Sequence, residues 1–351
     1  MLNNQFELKK ATTKAFKAYE KMEYREAIEL ADKLMGSDLE INLQYDLKAM
    51  TSYCYMHLKE YQKGWELFSY RPSARAVSAW MEKRISIPYW MGEDADYTDR
   101  TLLIVCEEGI GDELYHSACF HLLKGKFKKV YIECDARLIK LYERTYSEFT
   151  FFPRADWAKF SEIAKDCNLC ALLSDLPRFL NAEFNNDLDV YLEVDKELLA
   201  SFDKKLNSSL SPERLLVGIS YFTSGDNKDR RMVYEFWDNA LTDDNINWID
   251  LQHNNLVTNK EAFTHSNLLH CDDVDLYDDI DSLAALISTM DYVLTIDNYI
   301  AHLAGRLGVD TIVLLPRHHN IRWDYGTGKS IWYNTCKILI KEDSGSIAPA
   351  V

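Results

Sequence analysis

From residue 101 onward the chain alternates short apolar runs with amphipathic stretches, and that alternation restricts the fold more than any other feature of the sequence. Runs at 101–106, 129–133, 149–152 and 170–173 have strand length, and the segments 112–124, 135–145 and 157–166 read as helices. A second series of strands is expected at 215–220, 248–251, 292–296 and 311–315. Strands that alternate with helices build crossover units on a parallel sheet, since a parallel pair cannot be joined by a tight turn. A polar helix over about 195–208 separates the two series. The expectation is an α/β chain with two such sheets.

The region in front is different. Residues 8–72 contain no proline before Pro72 and place Ala15, Tyr19, Ala27, Leu30, Ala31 and Leu34 at helical spacing. Residues 21–30, KMEYREAIEL, align with residues 58–67, LKEYQKGWEL, at an offset of 37, near the roughly 34 of a tetratricopeptide unit. Ala27 and Gly64 are the small residues that let paired helices approach. Two units are few for a free solenoid, so they are expected to dock on the rest of the chain. Residues 73–100 form a connector containing Pro88-Tyr89-Trp90-Met91-Gly92, and the tail 341–351 is expected to be flexible.

Several function classes are excluded. A chain of 351 residues fits two domains or slightly more, and a net charge of −16 disfavours a non-specific nucleic-acid binder. No apolar run approaches the roughly 18 residues of a membrane span, and MLNNQFELKK is not a secretory signal, so the expected location is cytoplasmic. Eight scattered cysteines read as reduced core residues, and Cys167-Asn168-Leu169-Cys170 has no second pair for zinc. The aspartates at 272, 273, 275, 278, 279 and 281 lack the glycine and glutamate of a calcium loop; they read as a solvated loop with Asp281 capping a helix.

Three segments carry chemistry. Residues 101–112 run from a strand through Glu107, Glu108, Gly109, Ile110 and Gly111 to Asp112. The glycines admit a tight turn and a ligand, but the third glycine of a dinucleotide fingerprint is replaced by Leu114. Asp112 is either a helix cap or an acceptor for a hydroxyl proton. At 294–305, Asp297 and Asn298 are good N-cap types; the amides that follow would form an anion site within reach of His302, itself either a ligand or a core histidine. Lys228, Arg230 and Arg231 lie beyond the strand ending near Ser220, where open α/β sheets bind ligands. They are either a diphosphate site or a solvated face.

In this order the motifs resemble those of bacterial tetratricopeptide-repeat glycosyltransferases of the heptosyltransferase-like, family 9 type. The matching residues are Gly64-Trp65-Glu66, residues 88–92, residues 107–112, Leu173-Ser174-Asp175-Leu176-Pro177, Leu251-Gln252, residues 297–305, Arg322-Trp323 and Trp332-Tyr333. The resemblance implies a GT-B fold: a helical repeat segment over 1–75, an acceptor-side Rossmann-like domain over 76–205 and a donor domain over 206–340, the two facing a cleft. It implies an inverting transfer of a sugar from a nucleoside-diphosphate sugar to a glycan or protein hydroxyl, with no metal or other cofactor. Asp112 would be the general base, with Glu108, Gly109 and Gly111 in the cleft turn. Lys228, Arg230, Arg231, Gln252, Asp297, Asn298 and His302 would hold the donor, and the repeats would recruit the acceptor. The competing reading is a non-catalytic repeat adaptor with an inactive transferase-like body.

Overall fold

The structure, a computed structural model, describes residues 5–93, 95–180, 191–223, 230–232, 234–253, 266–323, 328, 330–341 and 347–349. It divides into two compact units. The first gathers Met1–Glu108, Gly125–Lys128 and Ser161–Ala182; the second gathers Gly109–Lys124, Lys129–Phe160 and Glu183–Val351. These units cut across the boundaries expected at 75, 205 and 340.

In the first unit, α1 (Gln5–Glu20) packs on α2 (Tyr24–Met35) and α3 (Ile41–His57) on α4 (Tyr61–Phe68). The 37-residue repeat is a backbone repeat as well as a sequence one. Met22 and Lys59 both have φ 62, in the left-handed region. Glu23 N donates to Ala18 O and Glu60 N to Tyr55 O, both at 2.9 Å, while Met22 N reaches Tyr19 O and Lys59 N reaches Met56 O. α1 and α3 therefore end in the same Schellman closure. At the equivalent small positions Ala27 is fully buried, and a Cβ on Gly64 would come 2.8 Å from the Met56 side chain. Leu8, Ala31, Leu34, Leu47 and Met50 form the shared core.

α5 (Pro72–Glu82) begins on a proline, whose missing N–H is no loss in a first helical turn. β1 (Tyr97–Val105) pairs in parallel with β4 (Leu169–Leu172). The connector covers the free edge of β4: Trp90 N donates to Cys170 O at 2.8 Å, and Cys170 N to Pro88 O at 2.9 Å. Gly92 has φ 76, and a Cβ there would lie 2.7 Å from the Phe179 backbone, so the position requires glycine. The expected docking of the repeat is visible within this unit, where α4 packs against α9 (Leu176–Phe179).

The second unit opens with α6 (Ile110–His116), which tightens into a 3-10 stretch over Ser117–Leu123 where one helix over 112–124 was expected. β2 (Phe127–Cys134) pairs in parallel with β3 (Thr150–Pro153); α7 (Ile139–Thr145) lies between them in sequence, and α8 (Trp157–Ala164) follows. After α10 (Lys196–Ser209) come β5 (Leu215–Ser220), α11 (Tyr234–Leu241), β6 (Ile246–Asp250), β7 (Leu268–His270), α12 (Ile280–Ile287), β8 (Tyr292–Ile296), α13 (Tyr299–Leu307), β9 (Thr311–Pro316), β10 (Cys336–Lys341) and β11 (Ile347–Pro349). They form a seven-stranded sheet in the order β11-β10-β9-β8-β5-β6-β7, parallel except for β10 against β11.

Two expectations are corrected here. The tail is not free from residue 341: Lys341 ends β10, and Ile347–Pro349 adds a strand antiparallel to it, satisfying its edge. The cap of α12 is Asp279, which accepts from Ser282 N at 3.1 Å; Asp281 instead receives both arms of Arg144, at 2.8 and 2.9 Å.

Candidate active site

The carboxyl ends of β5 and β8 in the second unit are held together by amide side chains. Asn298 caps α13, its Oδ1 accepting from Ile300 N at 3.0 Å and Ala301 N at 3.4 Å. Its Nδ2 donates to Ser220 Oγ at 2.8 Å and Phe222 O at 3.3 Å. Gln252 Oε1 accepts from Phe222 N at 2.8 Å, and from Tyr221 N and Ser220 Oγ at 3.2 Å. These two expected donor contacts are therefore engaged in fixing the turn after β5. Two of the amides expected to bind an anion are already occupied by the Asn298 cap.

The residues flanking that cap are arranged differently. Asp297 is buried; its Oδ1 accepts from Trp323 Nε1 at 2.9 Å, and its Oδ2 lies 3.5 Å from Arg230 Nε. Oδ2 has no hydrogen-bond partner among the described residues. Burial alone would raise this carboxyl, but the Arg322 and Arg230 cations outweigh it and hold the group below its ordinary value. His302 is also buried, with Nδ1 3.0 Å from Tyr333 OH and its ring stacked on Trp323 at 4.9 Å. Burial and the Arg322 cation push its pKa down to about 3, so it is a neutral imidazole. Its Nε2 has no hydrogen-bond partner among the described residues.

Asp112 joins this group through one side chain. Its Oδ1 lies 2.5 Å from Arg322 Nη2, and both side chains keep some exposure, 20% and 16%. Adjacent residues thus serve the two aspartates: Arg322 holds Asp112 and Trp323 holds Asp297. Gly111 faces α13 where α6 packs on it; a Cβ there would lie 3.4 Å from His302 and 3.6 Å from the Tyr299 backbone, ordinary contact distances, so the approach does not require glycine. Gly109, with φ −77 and ψ 170, is an ordinary extended N-cap, and the expected tight glycine turn is absent. Glu113 anchors α6: it accepts from Asp135 N at 2.8 Å and Arg154 Nη2 at 2.7 Å, and burial pushes its pKa up to about 8.

Of the expected basic cluster, Arg230 pairs with Asp297, as above. Arg231 stacks 3.9 Å over the Phe222 ring and donates to Thr223 O at 2.9 Å. Lys228 lies outside the described residues. A cavity of about 350 Å³ opens at the carboxyl ends of β6 and β7, lined by Asp250, Gln252, His253, His270 and Tyr277. His270 Nδ1 is 2.9 Å from Asp250 Oδ2, and the buried His253 Nδ1 has no hydrogen-bond partner among the described residues. Neither histidine was expected here, although His253 directly follows Leu251-Gln252 and His270 lies two residues before the run of aspartates.

Glu107 and Glu108, grouped with Asp112 in the sequence, belong to the first unit. Both are gripped by Arg71, which is 3% exposed: Nη2 pairs with Glu107 and Ser174 Oγ, and Nε with Glu108 at 3.1 Å. Ser73 Oγ donates to Glu108 and Ser174 Oγ to Glu107. Burial raises the Glu107 pKa to about 7, against the pull of Arg71. Glu108 is thus held by Arg71 and Ser73, with its side chain 30% exposed.

No family model matches the chain. In an alignment of 316 positions that covers 82% of this chain, it is 23% identical to Protein FlbA of Caulobacter vibrioides, and it spans about half, 51%, of that relative. Its structure is similar to that of a glycosyltransferase of family 9 from Veillonella parvula, with a TM-score of 0.53 and 10% identity over 72% of this chain and 89% of the other. The two share a fold. The ADP-heptose lipopolysaccharide heptosyltransferase II of E. coli superposes with a TM-score of 0.49 and 12% identity over 68% of this chain and 89% of that one. Among the described residues, no helix is long and apolar enough to cross a membrane.

Proposed function

We propose that the chain is an inverting glycosyltransferase that moves a sugar from a nucleoside-diphosphate sugar to a hydroxyl of a glycan or protein acceptor. The observation that carries this reading is the Asp112–Arg322 pair beside Asp297 and His302, a partly exposed carboxylate and a cation on the shared fold. In the reaction Asp112 takes the acceptor hydroxyl proton, the acceptor oxygen bonds to the sugar C1 and the bond from C1 to the phosphate oxygen breaks. The nucleoside diphosphate leaves with the electron pair. The transition state has oxocarbenium character, so it needs a base at the nucleophile and positive charge at the leaving group. Arg322 and Arg230 supply that charge, and no metal is required. The cavity at β6 and β7 takes the nucleoside, with the Asp250 and His253 side chains as partners for ribose hydroxyls and base.

The helical repeats, read as tetratricopeptide-like, recruit the acceptor in the cytoplasm. The adaptor alternative draws on the internal engagement of Asn298, Gln252 and Arg231, three of the expected donor contacts. A thermal-shift screen over nucleoside diphosphates and nucleotide sugars, followed by measurement of donor hydrolysis with and without EDTA, separates the two readings. An enzyme stabilised by one diphosphate and hydrolysing its sugar in EDTA is expected; a chain that binds no nucleotide supports the adaptor.

A further inference from the structure

The first unit contains a cavity of about 500 Å³ bounded by α5, by residues 85–91 and by the segment that follows β4. Met81, Ile85 and Met91 give it apolar walls, and the rings of Tyr89 and Phe179 line it as well. Asp175 lines it at 3% exposure. Its Oδ2 accepts from Tyr89 OH at 2.6 Å, whereas Oδ1 is buried with no hydrogen-bond partner among the described residues. Tyr89 is fully used, since its hydroxyl also accepts from Leu172 N at 2.9 Å. Glu82 adds a second carboxylate to the wall, and Arg178 is the one basic residue among the described lining.

A carboxylate withdrawn from water with one oxygen unmatched gains most from a cationic donor, because charge-assisted bonds exceed neutral ones in strength. Aromatic faces and methylene walls accept the aliphatic stem that carries such a cation. We propose that this cavity binds an organic cation, an ammonium or guanidinium group on a short aliphatic stem, with the head on Asp175 and the stem along Met81 and Ile85. The site is independent of the donor chemistry assigned to the second unit. The cation comes either from a free amine or from a basic side chain of a partner protein.

Calorimetry on the full chain tests this with agmatine, with the peptide acetyl-Gly-Arg-Gly-amide and with 1,5-pentanediol as the uncharged control. Agmatine is expected to bind at least roughly tenfold more tightly than the diol, and Asp175→Asn to weaken it by about the same factor. Ser78→Trp fills the cavity from α5 and leaves the Asp175–Tyr89 bond in place, so it should abolish binding even if the first variant does not fold. Binding of agmatine alone identifies a free amine as the source, and peptide binding at least as tight identifies a partner side chain. Equal affinity for agmatine and the diol, no saturable binding of either cation, or binding unchanged in both variants overturns the proposal.

Discussion

Two arginine–carboxylate clusters have carboxylates a few residues apart in sequence and differ in how fully their buried polar atoms are hydrogen-bonded. In the first unit Arg71 binds Glu107 and Glu108 while Ser73 and Ser174 fill in around them. In the second, Arg322 binds Asp112 with both partly exposed, and Asp297 Oδ2 and His302 Nε2 lack hydrogen-bond partners among the described residues. A buried polar atom without a hydrogen bond is costly, and among the described residues the second cluster keeps two of them, Asp297 Oδ2 with only the Arg230 cation at 3.5 Å and His302 Nε2.

The sharpest break between them is in what a substitution destroys. Asp112→Asn is expected to lower transfer by roughly 10²–10⁴-fold while nucleoside diphosphate affinity is kept, since a positioned general base contributes that much to rate and little to donor binding. Unchanged turnover, or loss of nucleotide affinity in proportion, removes Asp112 from that role. Arg71→Met should do the reverse: it leaves Glu107 buried and uncompensated, at a cost of about 3–5 kcal/mol of stability. Hydrogen exchange should then report lost protection over 97–105 and 169–172 but not over 292–307; equal loss in both segments would erase the difference between the clusters.

The smallest expected effect is on pH dependence. The Glu107 pKa rises from 4.5 to about 7 on folding, so between those values the folded chain holds more protons than the unfolded chain. Stability from this group is therefore full below about 4.5 and is lost as pH rises toward 7. Glu113, raised to about 8, contributes a limb of the same sign, so melting temperatures of Glu107→Gln should fall less steeply between pH 4.5 and 7 than those of the parent, whereas Asp112→Asn should keep the full limb. A limb undiminished in Glu107→Gln assigns the whole effect to other carboxyls such as Glu113.

The alternation of strands and helices, the 37-residue repeat and the placement of Asp112, Asp297 and His302 were legible because each rests on local spacing. What escaped lies in long-range partnership. Arg71 is 36 residues before Glu107, and Arg322 is 210 residues after Asp112, so no window of sequence joins them. Asn298 reads as an N-cap, which it is, and the resemblance adds it and Gln252 as donor contacts; their bonds to the turn after β5 join residues 78 and 30 positions apart, which no local pattern reveals. β7, with three residues, and β11, beyond a polar stretch, carried too little apolar pattern to register.

The repeated Schellman closures have a consequence for how such a segment changes length. The same backbone bonds recur at Met22 and Lys59 although one side chain is apolar and the other charged, so the join is specified by main chain geometry more than by residue identity. A further helix pair copied in at the same 37-residue interval would inherit both of its seams ready-made. The segment is in that sense modular, extensible by duplication without redesign of the residues at the splice.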